Sequence, residues 1–223
     1  MPGTFFSAED ADLLETVLKS RRDVRGNRFT QEEITDLELD KLIDAALYGP
    51  SVGFSQPWEF VIIRDPNIKS AIQEIFSQEN LKAADQFQDQ KQQEYLRLKL
   101  EGISEAPVNL AVFYNPMNGP VLGQTSMKEM GLYSVVCAVQ NIWLMARAMN
   151  IGVGWVSILD PQKVNEILEL PESRRLVAYL CVGKVTEFAE LPELETLRWE
   201  KRKHKASLVF KDRYDSRFYP ENS

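Results

Sequence analysis

Met130-Gly-Leu-Tyr-Ser-Val-Val-Cys-Ala-Val-Gln-Asn-Ile-Trp-Leu-Met-Ala-Arg-Ala-Met149, closely followed by Gly152-Val153-Gly154-Trp155-Val156-Ser157-Ile158, is the stretch whose reading decides the fold. The first run is apolar on nearly every helical face, through Tyr133, Val136, Ile142, Trp143 and Met145. That is the pattern of a central helix buried on most sides, in the core or at a seam between two copies. The second run is short and apolar and reads as a buried strand.

Outward from this pair, helices and strands alternate irregularly. Ser7 with Asp10 and Thr35 with Glu38 are capping-box pairs, each ahead of an apolar helical pattern. The first pattern (Leu13, Leu14, Val17, Leu18) ends at Arg21-Arg22, and the second (Leu39, Leu42, Ile43, Ala46, Leu47) stops at Gly49-Pro50. Glu59–Ile63, Pro107–Tyr114 and Leu176–Val182 read as three further strands. Asp65-Pro66 and Asp160-Pro161 each place a capping Asp before a Pro in the first helical turn. Residues 78–100, rich in Gln, Glu and Lys with spaced aromatics, predict a long, partly exposed helical excursion, and the segment 78–104 is a candidate lid. No strand is followed by G-x-G-x-x-G, so the pattern predicts an α+β fold, a mixed α/β sandwich, rather than a dinucleotide-binding sheet.

Composition narrows the function. The 223 residues are 44% hydrophobic and 26% charged, an ordinary globular balance expected to form one domain over 1–223. A net charge of −7 disfavours a nucleic-acid footprint, which needs clustered excess Lys and Arg. Cys137 and Cys181 lie in apolar runs and read as reduced packing residues, and with the single His204 they form no metal-ligand set. The N-terminal residues lack a basic-then-apolar leader and no stretch reaches membrane-span length, so cytoplasmic residence without a membrane partner is expected.

Three segments carry chemistry. Arg21-Arg22-Asp23-Val24-Arg25 offers three guanidiniums for a phosphate or an electron-rich ring, and such like charges are costly without an anion; a solvated helix end is the alternative. Pro50 to Trp58 supplies a hydroxyl, an amide, aromatic rings and backbone donors, the mixture that holds a flat polar cofactor, or else a rigid turn. The glycines of Gly152-Val153-Gly154 permit close approach of backbone to a ligand, although strand glycines often mark only bulges.

In order and spacing, these segments together resemble the FMN-dependent nitroreductase-like superfamily. The wording Arg21-Arg-Asp-Val-Arg25, Ser51-Val-Gly-Phe-Ser-Gln-Pro-Trp58, Leu98-Lys-Leu-Glu-Gly-Ile103, Tyr133-Ser-Val-Val-Cys-Ala-Val-Gln-Asn141 and Gly152–Ile158 is similar to the branch that consumes reduced FMN. The likeness runs from about residue 15 to residue 210. General nitroreductases usually carry Asn in place of Phe54 and lack the pairing of Asp23 with Ser157.

The resemblance implies a central, mostly antiparallel sheet flanked by helices, and a C-terminal extension (184–223) embracing a partner subunit. It implies a homodimer with shared active sites. Arg21, Arg22, Asp23, Val24 and Arg25 would contact FMN, while Ser51 and Gly53 reach the flavin bound mainly by the partner. Lys99, Trp155, Val156, Ser157 and Arg202 fall at further flavin contacts. Asp23 and Ser157 are the implied catalytic pair: Asp23 for proton transfer or orientation of the ribityl chain, Ser157 for a hydrogen bond near the reactive ring edge. A carboxylate among arginines is expected to stay ionised and to act as a base or acceptor. The implied reaction consumes reduced FMN with molecular oxygen and yields 5,6-dimethylbenzimidazole and erythrose 4-phosphate. NAD(P)H would enter only indirectly, through a separate flavin reductase. The competing expectations are an NAD(P)H-dependent nitroreductase or dehalogenase-type enzyme on the same fold, and a noncatalytic flavin-binding protein.

Overall fold

The computed structural model describes residues 3–214. The chain divides into two compact units, one ending at Phe188 and the other beginning at Ala189, close to the start expected for the C-terminal extension.

The first unit is built on a four-stranded sheet: β1 (Trp58–Ile63), β2 (Val108–Tyr114), β3 (Ile151–Val156) and β4 (Arg175–Lys184), ordered β1-β2-β4-β3. All three pairings are antiparallel. Six helices accompany it: α1 (Ala8–Ser20), α2 (Asp36–Leu47), α3 (Pro66–Ala84), α4 (Asp89–Leu96), α5 (Met130–Ala148) and α6 (Pro161–Ile167). The expected α+β sandwich is therefore the observed one, with each expected strand in place. Local chemistry starts the helices: Ser7 and Thr35 form complete capping boxes, and Asp65 and Asp160 cap helices that open with Pro.

Strand alternation divides the core into two layers. Val108, Leu110 and Val112 of β2 and Leu180 and Val182 of β4 pack with Val135, Val139 and Ile142 of α5 and Leu39 and Leu42 of α2. The intervening Ala111, Phe113, Tyr179 and Cys181 pack with Ile72 and Phe76 of α3 and with Val24. Complete burial of such aliphatic side chains contributes about 1.5–3 kcal/mol each. The second layer also buries Asn109, whose Nδ2 donates to the Ile103 carbonyl and the Tyr179 hydroxyl, both at 2.9 Å.

Two expectations need correction. The excursion after residue 78 is not one long helix: α3 ends at Ala84, and α4 folds back so that Phe87 stacks on Tyr95 at 5.1 Å. The Tyr95 hydroxyl donates to Asn80 Oδ1 at 2.7 Å, closing the hairpin. Side-chain pairing across the turn thus overrides helical propensity. In α1 no residue is buried; Leu13, Leu14 and Leu18 of the apolar stripe stay exposed, as do Tyr133, Val136 and Met145 on one face of α5.

The second unit contains α7 (Glu193–Thr196) and a short 3-10 turn at Lys205–Ser207. The end of the expected C-terminal extension, residues 215–223, lies outside the described residues. Among those described, no helix is long and apolar enough to cross a membrane.

Candidate active site

The segment after α1 is drawn straight by the sheet. Arg21 leaves the helix in an extended conformation, Asp23 bridges Val153 in parallel, and the Val24 N–H donates to the Val153 carbonyl at 3.0 Å. Residues 21–25 therefore cover the open edge of β3, whose backbone groups need partners. Alternation along this segment turns Val24 into the core, 2% exposed, and leaves Asp23 and Arg25 together on its other side.

Asp23 is held at both carboxylate oxygens: Oδ1 accepts from the Trp155 main-chain N–H at 3.0 Å, and Oδ2 pairs with Arg25 Nη2. Arg25, whose side chain is 13% exposed, also donates through Nη1 to the Leu100 carbonyl at 2.9 Å. Arg25 thus has its counter-charge in Asp23, while Arg21 and Arg22 of the same segment have other partners.

Arg21 lies over the Trp143 ring, 4.5 Å from its centroid, and Trp143 packs on Trp155 at 6.2 Å. The Trp143 indole N–H donates to the Arg22 carbonyl at 3.1 Å, while Arg22 Nη1 donates to the carbonyls of Lys19 and Arg21, each at 2.7 Å. Arg147 was not singled out from sequence, yet it joins this group. Its Nε donates to the Ser20 carbonyl at 3.0 Å, and its guanidinium lies 3.9 Å from the Phe188 ring centroid. Burial, and then the positive charge of Arg22, lower its pKa. The available signal was that Arg147 is the one charged residue in the apolar run of α5.

The glycines of β3 are packed against the chain itself. A Cβ on Gly154 would stand 2.1 Å from the Val24 carbonyl oxygen, and one on Gly152 would stand 2.4 Å from Val185 Cγ1. At Gly154 the missing side chain admits the Val24 backbone, and at Gly152 it admits the side chains of Val185 and Val24. Val156 is 2% exposed, so its side chain belongs to the core, while Ser157, just beyond the strand, is exposed.

The loop from Ser51 to Trp58 carries unusual backbone. Gly53, Phe54 and Gln56 have φ of 56°, 54° and 47°. A Cβ at Gly53 would come 2.7 Å from the Leu122 carbonyl oxygen. Left-handed non-glycine residues cost about 1–3 kcal/mol each, and such strain concentrates at functional loops. Ser51 Oγ accepts from the Gln56 N–H at 3.1 Å, and the Phe54 side chain is 81% exposed.

Lys99 donates to Glu101 Oε1 at 2.5 Å and to Glu105 Oε1 at 2.8 Å. Burial works against its ammonium, but the bonds from Glu101 and Glu105 outweigh it and raise the pKa. The first unit therefore brings Arg21–Arg25, Trp155, Val156 and Ser157 together along β3, with Lys99 one residue from Arg25's carbonyl partner, Leu100. Ser51 and Gly53 sit on the separate strained loop. Arg202 belongs to the second unit, where it lines a surface cavity of about 530 Å³ with Leu194, Lys201, Lys203 and Leu208.

The first unit thus combines an antiparallel four-stranded sheet with an arginine-bearing segment along its β3 edge. The chain belongs to the nitroreductase family, whose model matches residues 18–184. Within that family it is 42% identical, over 90% of its length and 95% of the relative's, to a 5,6-dimethylbenzimidazole synthase of Rhodospirillum rubrum. It is 35% identical, over 87% of its length and 94% of the relative's, to a 5,6-dimethylbenzimidazole synthase of Rhodobacter capsulatus. Its fold is similar to a crystal structure of oxidized iodotyrosine deiodinase bound to FMN and 3-iodo-L-tyrosine, with a TM-score of 0.67, 23% identity, and coverage of 79% of this chain and 91% of that one.

Proposed function

We propose that this protein is a 5,6-dimethylbenzimidazole synthase, an enzyme that consumes reduced FMN with molecular oxygen to form 5,6-dimethylbenzimidazole and erythrose 4-phosphate. The observation that carries the reading is the placement of Asp23: a carboxylate fixed by the Trp155 N–H and Arg25 against the edge strand β3, which the exposed Ser157 directly follows. By resemblance, general nitroreductases usually lack this pairing of Asp23 with Ser157. The two synthases at 42% and 35% identity support the same reading.

The residues present fit FMN. Two partly buried guanidiniums, Arg22 and Arg147, repel one another, a cost that a bound phosphate offsets. Arg21 over Trp143 gives a flat cationic surface beside Trp155. Reduced FMN, when bound, supplies both the electrons that activate oxygen and the ring that is broken. Asp23, already accepting two donors, serves as an acceptor that orients the ligand or takes a proton, and Ser157 supplies a hydroxyl at the ring edge. Lys99 and the main chain at Val156 complete the contacts from this unit, and Arg202 is the contact proposed for the C-terminal extension. Water exclusion falls to Trp155, Phe54 and the 78–104 hairpin acting as a lid, because a dry site prevents the early loss of a reactive oxygen adduct.

The working enzyme in this reading is a homodimer. The exposed leucines of α1 and the exposed face of α5 form its seam, the 51–58 loop reaches the partner's flavin, and the C-terminal extension that begins at residue 184 wraps the partner subunit. A separate NAD(P)H-dependent flavin reductase supplies reduced FMN in the cytoplasm. The test is to mix purified protein with FMN, a chemical reductant and air, and to analyse small molecules by mass spectrometry. The expected result is 5,6-dimethylbenzimidazole with matching loss of FMN. Intact FMN after many turnovers of an added nitroaromatic would instead assign an ordinary nitroreductase.

A further inference from the structure

Glu101 is a charged residue in an expensive position. Its side chain is 5% exposed, in the turn that joins α4 to β2. A carboxylate this far from water needs both hydrogen bonds and a counter-charge. One oxygen accepts from the Ile103 N–H at 2.8 Å and the other from Lys99 Nζ at 2.5 Å. If the turn needed only an acceptor for the Ile103 N–H, a neutral Asn or Ser would supply it without burying charge. The charge has a use only toward Lys99.

The same turn receives the arginine segment. The Gly26 N–H donates to the Glu101 carbonyl and Arg25 Nη1 donates to the Leu100 carbonyl, both at 2.9 Å. Glu105 adds a second carboxylate to Lys99 at 2.8 Å and lies flat on Gly26, where a Cβ would stand 2.5 Å from its carboxyl carbon. Two of the three ammonium N–H groups of Lys99 are thereby committed to carboxylates that themselves touch the turn after Arg25.

We infer that Glu101 is a positioning residue of the flavin site, which holds the Lys99 ammonium against the Arg25 turn so that it can meet the anionic ligand without first being ordered. The inference rests on the reading of this site as a flavin site. Pre-ordering matters because a free lysine side chain loses up to about 2 kcal/mol of rotamer entropy when it is immobilised.

The test is a double-mutant cycle with Glu101→Gln, Lys99→Met and the combination, titrated with oxidised FMN by quenching of flavin fluorescence. Gln keeps an acceptor for the Ile103 N–H and removes only the charge. Each single variant should weaken FMN binding about tenfold, as expected for one charge-assisted hydrogen bond. The double variant should bind no worse than Lys99→Met, and both single variants should shift the visible absorption bands of bound FMN alike. Full additivity, or wild-type binding by Glu101→Gln, overturns the inference. Should a single variant fail to fold, the double variant decides, because it leaves neither charge of the pair buried without the other: unchanged FMN affinity in it overturns the inference. If the wild-type protein itself does not bind FMN, it is the flavin-site reading that fails.

Discussion

The carboxylate of Asp23 accepts a hydrogen bond from the main-chain N–H of Trp155 at 3.0 Å, which locks the arginine segment onto the outer edge of β3. The bond spans more than 130 residues of sequence, and it makes one side chain responsible for both the shape of the site and its charge balance.

Replacing Asp23 separates these two duties. Asp23→Asn retains an oxygen for the Trp155 N–H and should leave reduced-FMN binding within a few-fold of wild type while strongly cutting 5,6-dimethylbenzimidazole formation. Asp23→Ala removes the acceptor as well and leaves Arg25 without its counter-charge, which should cost about 1–3 kcal/mol of stability. Anaerobic flavin titration, product assay and thermal melting check the pair. An Asn variant with wild-type product yield would remove Asp23 from the chemistry.

Ser157 is exposed just past the end of β3, so Ser157→Ala should leave the melting temperature nearly unchanged, as surface substitutions usually stay within about 0.5 kcal/mol. Product formation should nevertheless fall by about a hundredfold, the loss typical of a hydrogen bond made in the transition state. Melting curves and single-turnover product yield together distinguish this from a folding defect.

Gly154→Ala tests the edge contact directly. The added Cβ would meet the Val24 carbonyl oxygen, part of a backbone that cannot swing aside as a side chain would. The segment 21–25 must shift, with a loss of at least about 1–3 kcal/mol and of flavin binding. Wild-type stability and FMN affinity in this variant would show that the approach of these two backbones is not required.

Stability should also fall in acid through Glu38. Its hydrogen bond with Lys184, which joins the start of α2 to the end of β4, holds the carboxyl below its ordinary value of 4.5. A lowered folded pKa contributes stability that is complete above the unfolded value and is lost as pH falls through the folded one. Glu38→Gln keeps the capping box, since Gln serves at that position, and should remove about 1 kcal/mol at neutral pH and none below the folded pKa. Denaturant melts at neutral and strongly acid pH measure the difference.

The proposed dimer seam predicts that charge placed in the exposed stripe of α1, such as Leu14→Glu, yields a monomer by sedimentation. Flavin affinity should fall with it, because each site then lacks its partner's 51–58 loop. A monomeric variant with wild-type affinity would place the whole site in one chain.

Much of this protein was determined by sequence alone, because the forces concerned are local. Ser7 and Thr35 satisfy helix N–H groups three residues away, the Asp-Pro pairs start α3 and α6, and the apolar runs of β1 to β4 are strands wherever they sit. The presence of Asp23 and Ser157 in their motifs was equally legible. Tertiary structure alone decided how the charges are used. Arg21, Arg22 and Arg25 are equivalent in a string of letters, but the parallel bridge of Asp23 to Val153 sends Arg25 to Asp23 and Leu100 and leaves Arg21 on Trp143. Arg147 and Glu101 join the site only because α5 and the turn before β2 are folded against that segment. Coulombic and hydrogen-bond energies depend on distances through space, and no local pattern encodes a distance between residues a hundred positions apart.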